Sequence, residues 1–298
     1  MAPMTATAAL WRASHPGPTL VVSALALILG LSVGLDAPRL ALLVGAVFAG
    51  QLSVGWSNDA IDARRDLAVG RADKPVARGE ITARAVALAA GVALVVALAL
   101  SALLGAGFLL AHTIALASAW AYNAWLKRTA ASVLPFVVSF GLFPSLATLA
   151  EPVPALAAGW AGIAGSALGV AVHFSNVLPD LDDDAATGVR GLPHRIGARG
   201  SALVAFGALL VGALAVLLGP VLDGAALQPV AVIGTIAVVV IGAFGLRGVV
   251  GGGRSGGDGP EEAAAGGSGR GAGRGVFRLV MLAALVLALQ LAATGLRI

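Results

Sequence analysis

The sequence lacks cysteine and is poor in charged and aromatic residues. None of the 298 residues is a cysteine, which excludes disulfide bonds and thiolate chemistry. Charged residues make up only 11% of the chain and hydrophobic residues 58%, a balance that excludes an ordinary soluble domain. Aromatic residues make up 5%, so no aromatic cage for a cation can be identified by pattern. The first residues also lack the basic segment and cleavage site of a secretory signal.

The chain instead carries long apolar stretches. Several reach the roughly 20 residues that a helix needs to cross a bilayer, and they lack the alternation of a barrel strand. The sequence therefore predicts an all-α membrane protein with nine transmembrane helices, arranged as two pseudo-repeated four-helix halves plus a ninth helix. The predicted spans lie near residues 18–35, 39–57, 84–104, 106–126, 132–150, 155–177, 201–219, 228–246 and 276–296.

These spans divide the chain into segments with different expected roles. We expect a cytosolic N-terminal tail over 1–17, a transmembrane core over 18–250, a flexible Gly-rich cytosolic linker over 251–275 and the ninth helix over 276–298. With the N-terminus inside, only Arg39 and Arg297 of the 19 basic residues fall outside the cytosol, which is a strong positive-inside signal. The net charge of +4 then reflects topology and anionic lipid, and it requires no nucleic acid partner.

An internal repeat of acidic and amide residues is the main indication of function. The motif Ser57-Asn58-x3-Asp62-x3-Asp66 returns 118 positions later as Ser175-Asn176-x3-Asp180-x3-Asp184. On a helix, Asn58, Asp62 and Asp66 share one face, with Asp59 beside them. Carboxylates without cysteine favour a hard divalent cation such as Mg²⁺, most simply one that holds a phosphate.

Both copies of the motif are predicted at cytosolic ends of equivalent helices. A pseudo-two-fold arrangement would bring them face to face across a central cavity. A basic loop follows each copy, and its Lys and Arg residues can supply charge for a polyanion. Acidic loop residues at a membrane surface are the alternative, but two clusters with the same spacing weigh against it.

The motifs resemble those of the UbiA superfamily of intramembrane prenyltransferases. Asn58-Asp59-x2-Asp62-x3-Asp66 is similar to that family's NDxxDxxxD signature, and Asp180-x3-Asp184, in PDLDDDAATGVRGLPHRIG, is similar to its second DxxxD motif. RADKPVARG resembles a family loop that ends in Pro and Gly, and YNAWLKR resembles the Tyr-x4-Lys segment after the fourth helix. Ala63 stands where many members carry a basic residue, and Lys74 where many carry Arg.

The resemblance implies a nine-helix bundle around a lateral cavity and a role for each motif. Mg²⁺ would bridge the carboxylates to the diphosphate of a polyprenyl donor, and the prenyl group would move to a lipophilic acceptor, an aromatic compound or quinone precursor. The implied metal ligands are Asp59, Asp62, Asp66, Asp180 and Asp184, with Asn58 and Asn176 as ligands or orienting groups. The implied diphosphate contacts are Lys127 first, then Lys74, Arg71 and Arg78, with Tyr122 as a hydrogen-bond donor.

Two polar residues lie deeper in the predicted helices. Gln51 precedes Asn58 by seven residues and His173 precedes Asn176 by three, each on its motif face. Either is a candidate acceptor contact, although an interhelical hydrogen bond is the commoner role. Two other functions stay open: a terpene cyclase with the same metal site, and a secondary transporter built from repeats.

Overall fold

Helices form every regular element that the structure describes. The computed structural model describes residues 5–68, 74–178, 191–251 and 268–296. In chain order the helices are α1 (Ala6–Ala13), α2 (Pro16–Ser32), α3 (Ala37–Ala68), α4 (Ala83–Leu104), α5 (Ala106–Ala124), α6 (Leu134–Leu149), α7 (Gly159–Val177), α8 (Leu192–Leu222), α9 (Pro229–Gly251) and α10 (Ser268–Thr294). A short 3₁₀ helix, Leu126–Arg128, follows α5.

Five of these helices are long and apolar enough to cross a membrane. They are α3, α4, α8, α9 and α10, and a sixth span results if α1 and α2, bent by 67°, count as one. Helices α5, α6 and α7 are not among these five. Helix α6 has only 16 residues, and α5 and α7 bury the polar side chains of His112 and His173. A helix overlaps each of the nine predicted spans, but nine membrane crossings and the repeated layout stay predictions.

The boundary between α4 and α5 is a single glycine. Gly105 has a φ of 113°, a region that L side chains rarely adopt, so glycine permits the chain to break between two apolar helices there. Helix α4 begins with Thr82 as its N-cap, whose hydroxyl accepts a hydrogen bond from the N–H of Ala85. Thr82 thus marks where α4 begins, and Gly105 separates α4 from α5 within one long apolar stretch.

The chain forms two compact units. The first contains residues 1–127 and 142–157, and its central element is α3, which packs against α2, α4 and α5. The second contains residues 128–141 and 158–298. In that unit α8 packs against α7, α9 and α10, and the buried Gln290 side chain joins three helices by donating to the carbonyls of Ala213 and Ala231.

The structure differs from the sequence analysis near both ends of the chain. The expected tail over 1–17 contains α1, whose Ala9 and Ala13 are buried. Trp56 of α3 also donates its indole N–H to the carbonyl of Leu10 at 2.8 Å. Helix α10 begins at Ser268, inside the predicted linker, where frequent glycine weighs against a helix. Residues 252–267 of that linker lie outside the described part of the chain.

Candidate functional site

The last turns of α3 carry three buried carboxylates. Asp59, Asp62 and Asp66 are 2–3% exposed, and their spacing of three and four residues places them on one side of the helix. Burying carboxylates is costly unless cations and hydrogen-bond donors accompany them. The partners of these side chains therefore show how the protein tolerates the cluster.

Lys127 is the closest partner of Asp62. The 3₁₀ helix after α5 directs its Nζ to both carboxylate oxygens, at 2.7 and 2.6 Å, and the side chain is only 6% exposed. Arg65 adds weaker contacts, 3.2 Å to Asp62 and 3.4 Å to Asp66. The ion pair between Lys127 and Asp62 is thus buried, and it joins α3 to the 3₁₀ helix after α5 through both carboxylate oxygens.

In the described residues, the contacts of the Asp59 carboxylate are all made by one of its oxygens, Oδ1. Lys74 donates its Nζ to Asp59 Oδ1, and Nε2 of His15 lies 2.9 Å from the same oxygen. His15 Nε2 and Lys74 Nζ are 3.1 Å apart, so the imidazole, the ammonium group and the carboxylate oxygen all contact one another. Asp59 Oδ2 is buried and has no hydrogen-bond partner among the described residues.

An amide network anchors α5 beside the carboxylates. Asn58 donates to Asn123 Oδ1 at 3.2 Å, and Asn123 donates to the Val54 carbonyl and the Ser57 hydroxyl at 2.9 and 2.8 Å. This network fixes the end of α5 about one helical turn before Lys127. Tyr122 on α5 and Gln51 on α3 are both partly buried.

The other residues of the predicted site have different surroundings or fall outside the described chain. Arg78 pairs with Glu80 at 2.7 Å and is 44% exposed. Asn176 is exposed at the end of α7. Asp180, Asp184 and Arg71 fall outside the described residues, so their predicted roles stay predictions.

His173 makes a helix-to-loop contact in the second unit. Its Nε2 lies 3.1 Å from the Ser132 hydroxyl, which also accepts the N–H of Leu192 at 3.0 Å. The Phe136 and Phe174 rings lie 4.7 and 5.3 Å from the imidazole. The hydrogen bond therefore joins His173 to the segment before α6 and not to another helix, and a role of His173 toward an acceptor stays a prediction.

The carboxylates of Asp59, Asp62 and Asp66 are ligands of the type that Mg²⁺ prefers, but they do not form a complete metal site by themselves. Among the described residues, no three carboxylate or imidazole side chains gather closely enough to hold a metal ion by themselves. The available ligands are charged oxygens, and the buried Asp59 Oδ2 has no hydrogen-bond partner in the described part of the chain. Mg²⁺ commonly uses one or two carboxylates plus substrate phosphates and water, so the donor set fits this ion.

Sequence reasoning missed two members of the cluster. Arg65 contacts Asp62 and Asp66, and its position three residues after Asp62 was a usable signal for that pairing. His15 lies 44 residues from Asp59 in the chain, and no motif or spacing connects the two. Only the packing of α1 and α2 on α3 brings the imidazole to the carboxylate.

Comparison with known proteins relates this helical arrangement to one family. A family model described as the UbiA prenyltransferase family matches residues 3–252. A UbiA homologue from Archaeoglobus fulgidus, solved with GPP and Mg²⁺, is 13% identical, with a TM-score of 0.64 over 96% of this chain and 99% of that one. The apo structure of a UbiA homologue from Aeropyrum pernix K1 is 16% identical, with a TM-score of 0.67 over 92% and 96% of the two chains.

A third similar structure comes from work on digeranylgeranylglyceryl phosphate synthase in membranes. It is 12% identical, with a TM-score of 0.66 over 96% of each chain. No curated protein matches the chain. At these identities the structural likeness concerns the fold.

Proposed function

This chain belongs to the UbiA prenyltransferase family, and we propose that it is an intramembrane prenyltransferase. It is an integral, multi-pass membrane protein. The proposed reaction moves a prenyl group from a polyprenyl diphosphate to a lipophilic acceptor, an aromatic compound or quinone precursor, and it depends on Mg²⁺. The observation that carries the proposal is the buried cluster of Asp59, Asp62 and Asp66, bordered by the ammonium groups of Lys74 and Lys127.

The proposed donor and metal are supported by the Archaeoglobus fulgidus homologue, which was solved with GPP and Mg²⁺. In this chain the residues that would hold the metal are those of the two acidic motifs: Asp59, Asp62, Asp66, Asp180 and Asp184, with Asn58 and Asn176 beside them. When bound, Mg²⁺ acts as a Lewis acid on the diphosphate oxygens.

The chain's own cations are suited to the leaving group. In the proposed reaction the bond between the prenyl C1 and the diphosphate oxygen breaks, C1 bonds to the acceptor, and the acceptor releases a proton. Negative charge grows on the diphosphate as its bond to C1 breaks, and fixed cations stabilise that charge. Lys127 and Lys74 lie against carboxylates in the structure, and each can turn to a diphosphate oxygen once those carboxylates are otherwise neutralised. Arg71 and Arg78 are the next candidates, with Tyr122 as a hydrogen-bond donor.

The active-site loops and the N-terminus are proposed to face the cytosol. This orientation rests on the distribution of Lys and Arg, because the predicted outer side holds only Arg39 and Arg297. Gln51 and His173 remain the proposed acceptor contacts. Gln51 lies two helical turns before Asn58 on α3, about 10 Å further along the helix at 1.5 Å per residue.

The direct test uses the purified protein in liposomes with a labelled prenyl diphosphate, with and without Mg²⁺ and with and without a membrane-lipid extract as the source of acceptor. A transferase forms a labelled lipid product only when both Mg²⁺ and the extract are present. Labelled hydrocarbon without the extract would identify a cyclase. If Mg²⁺ supports no diphosphate release with donors of several chain lengths, the proposal is wrong and a transporter becomes the better hypothesis.

A further inference from the structure

The turn between α1 and α2 is fixed tightly against α3. A Cβ added at Gly55 would collide with the backbone carbonyl of Ser14, so the two backbones approach closely there. The same Ser14 carbonyl accepts the Thr19 hydroxyl at 2.8 Å, and Trp56 donates to Leu10 at 2.8 Å. The turn is therefore held in place one helical turn before Asp59.

His15 occupies an unusual backbone conformation in this turn. Its φ of 55° makes it the only residue other than glycine with a positive φ in the described chain. Non-glycine residues with positive φ are uncommon, and such conformations persist where the surroundings fix them, often at functional sites. In this chain, the residue in the left-handed conformation is also the one whose imidazole contacts Asp59.

The hydrogen bonds around His15 have one arrangement that satisfies Asp59 best. A single ring nitrogen cannot donate to Asp59 Oδ1 and accept from Lys74 Nζ at the same time. Because Lys74 donates to Asp59 Oδ1 directly, protonated Nε2 can donate to the same oxygen at 2.9 Å. Two donors then hold Oδ1, while Oδ2 is buried and finds no hydrogen-bond partner within the described ranges.

We propose that His15 is a positioning residue for the metal site: it holds Asp59 Oδ1 so that Oδ2 is presented to the divalent cation. This inference rests on the proposed function for the identity of the cation and the donor. Residues that hydrogen-bond to metal ligands orient them, and their loss typically weakens metal affinity about 10–100-fold. His15 itself contacts neither the metal nor the diphosphate in this proposal.

The test measures Mn²⁺ binding to the full-length protein by the electron paramagnetic resonance signal of the free ion, together with thermal unfolding. His15→Gly removes the imidazole and relieves the left-handed backbone. It should raise the Mn²⁺ concentration for half-saturation about 10–100-fold without lowering the unfolding temperature. His15→Gln keeps an N–H at a similar reach and should restore much of the affinity. Arg12→Ala is the matched control, because Arg12 lies on α1 and pairs with Glu80 at 3.5 Å; it should bind Mn²⁺ like the wild type.

Unchanged Mn²⁺ affinity in His15→Gly would overturn the proposal. So would an equal loss in Arg12→Ala, because docking of α1 and not the imidazole would then be responsible. A folded His15→Gln that binds no better than His15→Gly would exclude hydrogen-bond donation as the mechanism. If Mn²⁺ binding depends on His15 but the wild-type protein does not release diphosphate from any prenyl diphosphate, the proposed function fails while the positioning role stands.

Discussion

At the scale of single residues, the ion pair between Lys127 and Asp62 links the stability of the site to its chemistry. Both side chains are almost fully buried, and Lys127 contacts both oxygens of Asp62. Removing one member of a buried ion pair typically costs about 3–5 kcal/mol, because the other charge is left uncompensated. Arg65 still contacts Asp62, so the lower end of that range is expected here.

Lys127→Ala should lower the unfolding temperature without Mg²⁺, and added Mg²⁺ should recover part of the loss because it supplies the missing positive charge. The same variant should slow diphosphate release about 10²–10³-fold, the usual cost of removing one contact to developing negative charge. Thermal unfolding at several Mg²⁺ concentrations and donor kinetics are the measurements. The neighbouring and exposed Arg128 provides the control Arg128→Ala, which should behave like the wild type. Normal stability and normal donor kinetics in Lys127→Ala would remove Lys127 from the site.

The sequence identifies this cluster unevenly, for physical reasons. Carboxylates at helical spacing predict a shared face, and the structure places Asp59, Asp62 and Asp66 together on α3. The roles of Lys127 and Lys74 came from the resemblance, and both residues lie against the carboxylates. His15 could not be predicted, because its contact with Asp59 depends on tertiary packing and leaves no local pattern.

At the scale of elements, the position of the carboxylate end of α3 depends on how α1 and α2 pack against it. The close approach of Ser14 to Gly55 sets the distance between the turn and the carboxylate end of α3. A cluster of buried apolar side chains, Ala13, Ala63, Val76 and Val86, joins α1, α3, the following loop and α4. The N-terminal helix is therefore part of the wall around the carboxylates.

Gly55→Ala should displace the turn, because the new Cβ meets backbone that cannot rotate away. Overpacking of this kind typically costs about 1–3 kcal/mol, and the shift of His15 should also raise the Mg²⁺ concentration needed for half-maximal activity. Gly91→Ala in α4 is the matched control, since a Cβ there meets nothing within 4 Å. Thermal unfolding and Mg²⁺ titration check both variants. Equal behaviour of the two would show that the close approach at Gly55 has no importance for the site.

Element positions were more predictable than element ends. The length of the apolar stretches locates a helix under each predicted span. Helix α1 was missed because eight residues with scattered polar side chains give a weak helical signal, and burial of Ala9 and Ala13 stabilises it. The start of α10 at Ser268 was missed because glycine-rich sequence lowers helix propensity.

At the scale of the whole molecule, the number of membrane crossings is the main open prediction. Helix α6 decides it most directly, since its 16 residues are fewer than the roughly 20 of a typical span. Because the native chain has no cysteine, single cysteines can report the side of the membrane without background. Ala130 and Val153 are exposed positions on either side of α6.

With nine spans and a cytosolic N-terminus, Val153→Cys should react with a membrane-impermeant thiol reagent in intact cells. Ala130→Cys should react only after permeabilisation. Labelling of both variants on one side would mean that α6 does not cross the membrane, and the nine-span topology would be wrong.

We propose that the acidic residues at the end of α3 form the Mg²⁺ site for prenyl diphosphate. The most direct measurement is Mg²⁺-dependent diphosphate release by the wild type, Asp62→Asn and Asp36→Asn. Asp36 lies before the opposite end of α3, where its carboxylate accepts the N–H of Arg39 at 2.9 Å. The wild type and Asp36→Asn should release diphosphate at similar rates, whereas folded Asp62→Asn should lose at least about 10²-fold, as should Asp180→Asn in the second motif. Near-normal release by Asp62→Asn at saturating Mg²⁺ would contradict the account.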